Sequence, residues 1–310
     1  MEKKRKFRIL CLDGGGIRGL YSAKLLQKIE EECSVNLHDD FDLIVGTSTG
    51  SILAGAIVSK IPINQVISLY ENEGGQIFKK KFFSRIGLFQ SIYKPDYLQD
   101  RLKDIFKNLT LGNIDKPLII NATDIGNSMP FVFKTKHPKK ELIRDRDIAL
   151  HDAILASSSA PIYFPPHKVA GYLLADGGLW ANSPVLVAIS EAMHSFDVAP
   201  EDIAIVSIGT GTEKIDYDFN TKFWGFLTGW KKKQLISTIL NLQTISNQNL
   251  VNFIIKKENI LTLSYTSNAV LSLDDVSQNK NLLSKADHDF TYQHEKIQSF
   301  INKNIKGLTK

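Results

Sequence analysis

Cysteine is scarce. The 310 residues contain two, Cys11 and Cys33, which excludes a disulfide framework and a four-cysteine zinc site. Long hydrophobic runs are missing too. The longest, residues 43–58, is broken by Thr47, Ser48, Thr49 and Ser51. At about 1.5 Å per helical residue it falls short of a bilayer core of about 30 Å. The start, MEKKRKFRILCLDGGG, has basic residues but no apolar core and no small-residue cleavage site, so no secretory signal is expected. Charge of one sign does not dominate: 38 basic and 33 acidic residues leave +5, too little to imply a nucleic-acid polymer as partner. No G-K-[ST] occurs, which excludes a P-loop. Internal repeats, low-complexity tracts and obvious linkers are also absent. What remains is 43% hydrophobic and 23% charged, the balance of an ordinary globular chain. Free thiols fit a reducing compartment, so a cytoplasmic protein is expected.

The periodicity predicts strands at residues 7–12 (FRILCL) and 41–45, each followed by a glycine turn and an apolar helix, at about 17–32 and up to 59. Strand, tight turn and helix, twice in sixty residues, predict a parallel sheet covered on both faces. Further helices are expected at 62–78, 95–107, 149–157 and 184–194. Strands are expected at 117–122, 131–134, 172–175 and 203–208. Residues 234–255 and 280–304 read as long helices. One domain is the simplest organisation, with a core over residues 7–212 and a C-terminal helical extension, residues 213–310, packed on it.

Three short motifs carry chemistry. The first is Asp13-Gly14-Gly15-Gly16-Ile17-Arg18-Gly19. It contains G-x-G-x-x-G between a strand and a helix, the place of a dinucleotide fingerprint. Asp13 would lie against any phosphate, however, and Asp39, Asp40 and Asp42 stand at the start of the second strand rather than its end, where a ribose-binding acid belongs. The loop can instead cradle a small anion on backbone N–H groups at a helix N-terminus, with Arg18 steadying the loop or attracting the anion. A plain tight turn fits the same glycines.

The second motif, Gly46-Thr47-Ser48-Thr49-Gly50, matches G-x-S-x-G in the strand-to-helix setting that a nucleophile turn requires. The third is Asp176-Gly177-Gly178 at the end of a short strand. A carboxylate there can take the Ser48 proton directly or through water. Of the seven histidines, His288 and His294 follow in Ser-Asp-His order, but they lie in a polar helix with nothing to aim them. A Ser–Asp dyad is therefore expected rather than a triad. No metal or cofactor is implied.

These motifs, in this order and spacing, resemble those of the patatin-like phospholipase family. Ala156-Ser157-Ser158-Ser159-Ala160-Pro161 looks like the segment that precedes the family's aspartate. Residues 176–184 look like its D-G-[GA]-…-N-x-P stretch, and Ser207-Ile208-Gly209-Thr210-Gly211 resembles its S-[LI]-G-T-G strand end. The resemblance implies a three-layer α/β/α sandwich with a mostly parallel sheet, and acyl-ester hydrolysis of membrane phospholipids at the inner face of the cell membrane. It assigns Ser48 as nucleophile, Asp176 as its partner and the N–H groups of Gly14, Gly15 and Gly16 as oxyanion hole. Arg18, Gly46, Gly50, Gly177, Gly178 and Asn182 support the site. Small bacterial members resemble effectors of antiphage defence that stay latent until a cyclic oligonucleotide binds, which makes such an activator and a homo-oligomer candidate partners. A constitutive lipase of the same fold is the nearest alternative. An NAD-binding oxidoreductase explains neither GTSTG nor the Asp176 segment, and an intact Ser48, Asp176 and glycine loop argue against a catalytically silent binding protein.

Two segments, residues 78–89 and 222–233, interleave aromatic residues with lysines and suit an anionic lipid interface. A core-packed loop with its lysines in water fits them equally. The basic loop 134–146 is a candidate anion site or a solvated surface loop.

Overall fold

The computed structural model describes residues 5–81, 90–135, 137, 144–214, 217–218, 220–225, 228–230, 233–268 and 272–307. Residues 82–89 of the first aromatic-basic segment, most of the 134–146 loop, and Phe226, Leu227, Lys231 and Lys232 of the second segment lie outside the described residues. The chain runs β1 (Phe7–Leu12), α1 (Gly19–Cys33), β2 (Leu43–Thr47), α2 (Thr49–Val58), α3 (Ile63–Ile77), α4 (Asp96–Phe106), β3 (Leu118–Asp124), β4 (Met129–Lys134) and α5 (Leu150–Ser157). It continues through β5 (His167–Val169), β6 (Tyr172–Asp176), α6 (Gly178–Ala181), α7 (Val185–Ser195), β7 (Ile203–Ile208) and β8 (Thr212–Glu213). It ends with α8 (Lys233–Ile254), β9 (Ile260–Leu263), β10 (Thr266–Ser267) and α9 (Asn279–Phe300).

Among the described residues, the main sheet has eight strands in the order β5-β6-β3-β2-β1-β7-β9, with β4 paired to β3. The run β3-β2-β1-β7-β9 is parallel. Strands β4, β5 and β6 join antiparallel. The apolar run of β1 shows why both faces are covered: alternate residues point opposite ways. Leu10 and Leu12 enter a core with Leu20, Leu25, Ile52 and Leu53 from α1 and α2. Ile9 and Cys11 enter a second core with Val185, Ala188 and Ala192 from α7. The fold is thus a three-layer α/β/α sandwich around a mostly parallel sheet. Among the described residues, no helix is long and apolar enough to cross a membrane.

Residues 213–310 supply the helices expected there, but also β9, which lengthens the main sheet through parallel pairing with β7. Four residues (ILTL) are too few to display a period, and glycine or proline does not mark them off. The helix expected from residue 17 opens with a tighter turn, Gly16–Arg18, before α1 begins.

Register brings the two ends of the candidate site together. β4 occupies one edge of β3 over its whole pairing, Ile119 to Asp124. On the other edge β2 pairs only as far as Thr47↔Asn121. β6 takes over from there, with Asp176 opposite Ala122. The parallel strand stops and the antiparallel one arrives at the same point, so Asp176 lands beside the residue that follows Thr47, which is Ser48.

Candidate active site

Ser48 stands between β2 and α2 with φ 54° and ψ −125°. A non-glycine residue rarely adopts that conformation, and it persists only where neighbours over-determine it. Here they do. The Ser48 N–H donates to Ser157 Oγ at 2.8 Å, and Ser157 Oγ donates to the Asn121 carbonyl at 2.6 Å. Asn121 Nδ2 donates to Thr47 Oγ1 at 3.0 Å, and Thr47 Oγ1 donates to the Ala181 carbonyl at 2.6 Å. Ser51 returns both its N–H and its hydroxyl to the Ser48 carbonyl at 2.8 and 2.6 Å. Thr47, Ser51, Asn121 and Ser157 are fully buried, so this network ties the turn to β3, α5 and α6 without water. Gly50 is required by close approach: a Cβ there would stand 2.1 Å from the Leu12 carbonyl oxygen.

Asp176 ends β6 and is 5% exposed. Burial raises its pKa to about 6, against the opposing pull of the Ser48 hydroxyl and the Gly178 N–H. The Gly178 N–H donates to Oδ1 at 2.7 Å. The carboxylate is therefore held next to Ser48 with a proton affinity close to neutrality.

The glycine loop corrects one expectation. The Gly14 N–H donates to the Asn182 carbonyl at 3.0 Å and is not free to meet an anion. The Gly14 carbonyl accepts from Thr210 Oγ1 at 2.6 Å, and the Gly15 carbonyl accepts from Arg18 Nε at 3.1 Å. In a trans peptide the C=O and the next N–H point opposite ways. Thr210 therefore orients the Gly15 N–H, and Arg18 orients that of Gly16. Gly16 has φ +59°, and a Cβ on it would meet the Leu273 carbonyl oxygen at 2.2 Å. Arg18 is buried. Desolvation lowers its pKa, while Tyr265, Glu213 and Tyr163 act to raise it; it braces the loop from behind. Asn182 adds a bond from its Nδ2 to Thr244 on α8 at 2.9 Å.

Gly15, Gly16, Ser48, Asp176, Gly178 and Asn182 line one narrow cleft of about 90 Å³. Its other walls are chiefly apolar, among them Ile52, Phe78, Leu98, Phe164, Leu179 and Leu240. Among the described residues no histidine lines it. His288 bonds to Asp289 on α9 at 3.2 Å, and His294 packs edge-on against Phe290. No group of residues suited to hold a metal ion occurs among the described residues. Ser157 and Thr210 are positioning residues that sequence reasoning did not single out. Each lay inside a quoted motif, but their partners, the Ser48 N–H and the Gly14 carbonyl, become visible only in three dimensions.

The family model for patatin-like phospholipase matches residues 10–189. A cGAMP-activated phospholipase of Escherichia coli is 30% identical over 329 residues, covering 98% of this chain and 88% of that protein. A cGAMP-activated phospholipase of Pseudomonas aeruginosa is 34% identical over 66% of this chain and 63% of its own length. A cUMP-AMP-activated phospholipase of Escherichia coli is 29% identical over 66% of this chain and 64% of its own. The matched region thus spans just under two thirds of the latter two proteins.

Proposed function

The chain belongs to the patatin-like phospholipase family, and we propose that it is a serine lipid acyl hydrolase that works through a Ser48–Asp176 dyad. The observation that carries this reading is the meeting of three groups in one apolar cleft: a strained, braced Ser48, a buried Asp176 and two oriented N–H groups. Ser48 Oγ attacks the acyl carbonyl carbon while Asp176 accepts its proton. The carbonyl oxygen gains negative charge and is met by the N–H groups of Gly15 and Gly16, with Gly14 left out of the hole. Removing one such donor costs roughly 2.7–4 kcal/mol in a comparable site. Asp176 then returns the proton to the departing lyso-lipid alkoxide. Water, deprotonated by the same carboxylate, releases the fatty acid and restores Ser48.

The apolar walls of the cleft suit a fatty-acyl chain, and membrane phospholipids at the inner face of the cell membrane are the proposed substrate. The names of the bacterial relatives support control by a cyclic oligonucleotide, and a role in antiphage defence is proposed with it from the family resemblance. A narrow cleft walled by Leu240 of α8 and by Leu273 is consistent with a resting state. Raising an open population from 1% to 99% takes about 5.5 kcal/mol of differential affinity, within reach of a multiply charged ligand held by several side chains. The test is release of fatty acid from a fluorogenic phospholipid by wild type and Ser48→Ala, with and without a panel of cyclic di- and trinucleotides. Ligand-dependent hydrolysis in wild type alone supports the whole reading. Hydrolysis that no nucleotide changes leaves a constitutive lipase, and equal hydrolysis by Ser48→Ala removes the dyad.

A further inference from the structure

Helix α8 reverses the usual arrangement of a surface helix, which turns polar residues outward. Several polar side chains are spent on the protein, while Ser246, Asn249 and Asn252 stay exposed. Asn241 Nδ2 donates to the Glu213 carbonyl at 3.0 Å, Gln243 Oε1 accepts from the Ser183 N–H at 3.0 Å, and Asn247 Nδ2 donates to the Ser183 carbonyl at 2.9 Å. Apolar residues are left outside. Ile239, Leu242, Leu250 and Phe253 share one face of the helix, interrupted between Leu242 and Leu250 by exposed Ser246 and Asn249, and Leu242 and Phe253 are 61% and 88% exposed. The stripe runs about 21 Å along the helix at 1.5 Å per residue. Ahead of it Tyr217, Trp224 and Trp230 pack together with ring centroids 5.4–5.9 Å apart. Tyr217 is tied to α8 through Thr238 at 3.0 Å, and Phe223 is exposed.

Charge identifies what this face meets. Between Asp218 and Glu258 the sequence carries Lys222, Lys231, Lys232, Lys233, Lys256 and Lys257 and no acidic residue. An apolar face flanked in sequence by lysines, with no acidic residue between Asp218 and Glu258, matches a layer that is apolar beneath an anionic surface. A second copy of the face would bring like charge against like charge. The same helix also borders the cleft: Ile236, Ile239 and Leu240 line it, as does half-exposed Leu179.

We propose that the outer stripe of α8, with the aromatic cluster before it, seats the protein on an anionic lipid bilayer and turns the cleft mouth toward it. The proposal rests on the lipid-hydrolase reading and deepens it by assigning the surface that meets the substrate's membrane. Lysines near an anionic surface strengthen binding about fivefold each, and the apolar stripe holds the helix in the headgroup layer.

The experiment uses Ser48→Ala protein, so that no lipid is consumed, and co-sedimentation with vesicles of one part phosphatidylglycerol to two parts phosphatidylcholine. The parent protein is expected to bind these vesicles, and vesicles of phosphatidylcholine alone far less. Leu242→Ser, Leu250→Ser and Phe253→Ser together are expected to weaken binding at least tenfold. Placed in the Ser48 background, the same three changes leave hydrolysis of a water-soluble short-chain ester, circular dichroism and the mass by light scattering unchanged. Undiminished vesicle binding by the triple variant overturns the proposal. So does equal binding to both vesicle types, or a dimeric parent that the triple variant converts to monomer, which would assign the face to a second copy. Failure of the hydrolase reading is seen separately, as short-chain ester hydrolysis that survives Ser48→Ala.

Discussion

A carboxylate that accepts the Ser48 proton must first be ionised, and Asp176 is poised so that ordinary pH changes test this. Burial lifts its pKa from 3.8 to about 6 even though the Ser48 hydroxyl and the Gly178 N–H favour the charged form. At 1.36 kcal/mol per unit, the shift amounts to about 3 kcal/mol against the ionised state. On a soluble short-chain ester, kcat/KM is therefore expected to be flat above about pH 7 and to bend near pH 6. Below the bend it falls tenfold per unit, leaving about a tenth of the plateau at pH 5. Asp176→Asn loses the plateau itself, while His288→Ala and His294→Ala keep both plateau and bend. Stability moves the other way. Between 3.8 and about 6 the folded protein holds a proton that the unfolded chain has released. The stability that Asp176 contributes is full below 3.8 and is lost as pH rises through about 6. The site gains its base over the window in which the fold loses this contribution. A profile flat from pH 4.5 to 8, or a bend near 4, would refute a buried Asp176 as the base.

Three further perturbations separate the parts of the site. Gly16→Ala needs an alanine at φ +59° with its Cβ 2.2 Å from a backbone oxygen; about a hundredfold loss of kcat is expected, and unaltered turnover would remove Gly16 from the oxyanion hole. Ser157→Ala leaves the Ser48 N–H and the Asn121 carbonyl without their buried partner, so urea denaturation should show a loss of roughly 1–3 kcal/mol and kcat should fall more than KM changes. Asp13 is buried, and desolvation raises its pKa to about 7, with Ser183 acting against the shift. Asp13→Asn should therefore gain stability relative to wild type as pH rises from 4 to 8, by up to about 4 kcal/mol; a difference constant with pH would contradict this.

How far the sequence could be read depended on whether a feature is local. FRILCL before DGGG, LIVG before TSTG, and the short strand before Asp176 carry their own strand and turn signals, which pointed to a parallel sheet covered on both faces, and the family resemblance of these motifs implied the sandwich. The pairing of Ser48 with Asp176 was legible as chemistry, but its cause, β6 taking over the edge of β3 where β2 ends, is a register fact. Three glycines in a row look alike on paper. Only the Asn182 carbonyl, delivered from a distant segment, removes Gly14 from the set of free donors. The apolar period of α8 was readable, but a period does not say which face finds cover. The inner face turned out to include asparagines and a glutamine bonded to the Glu213 and Ser183 backbone.

The most direct measurement of the central claim is the site of covalent capture. A fluorophosphonate reacts only with a serine whose proton is taken and whose developing oxyanion is held. Protein incubated with the probe, in the presence of whichever cyclic nucleotide gives hydrolysis, is digested and analysed by mass spectrometry. A single adduct on Ser48, absent in Ser48→Ala and strongly slowed in Asp176→Asn, is the predicted result. An adduct on any other serine, or one on Ser48 that forms as fast in Asp176→Asn as in wild type, would contradict the dyad.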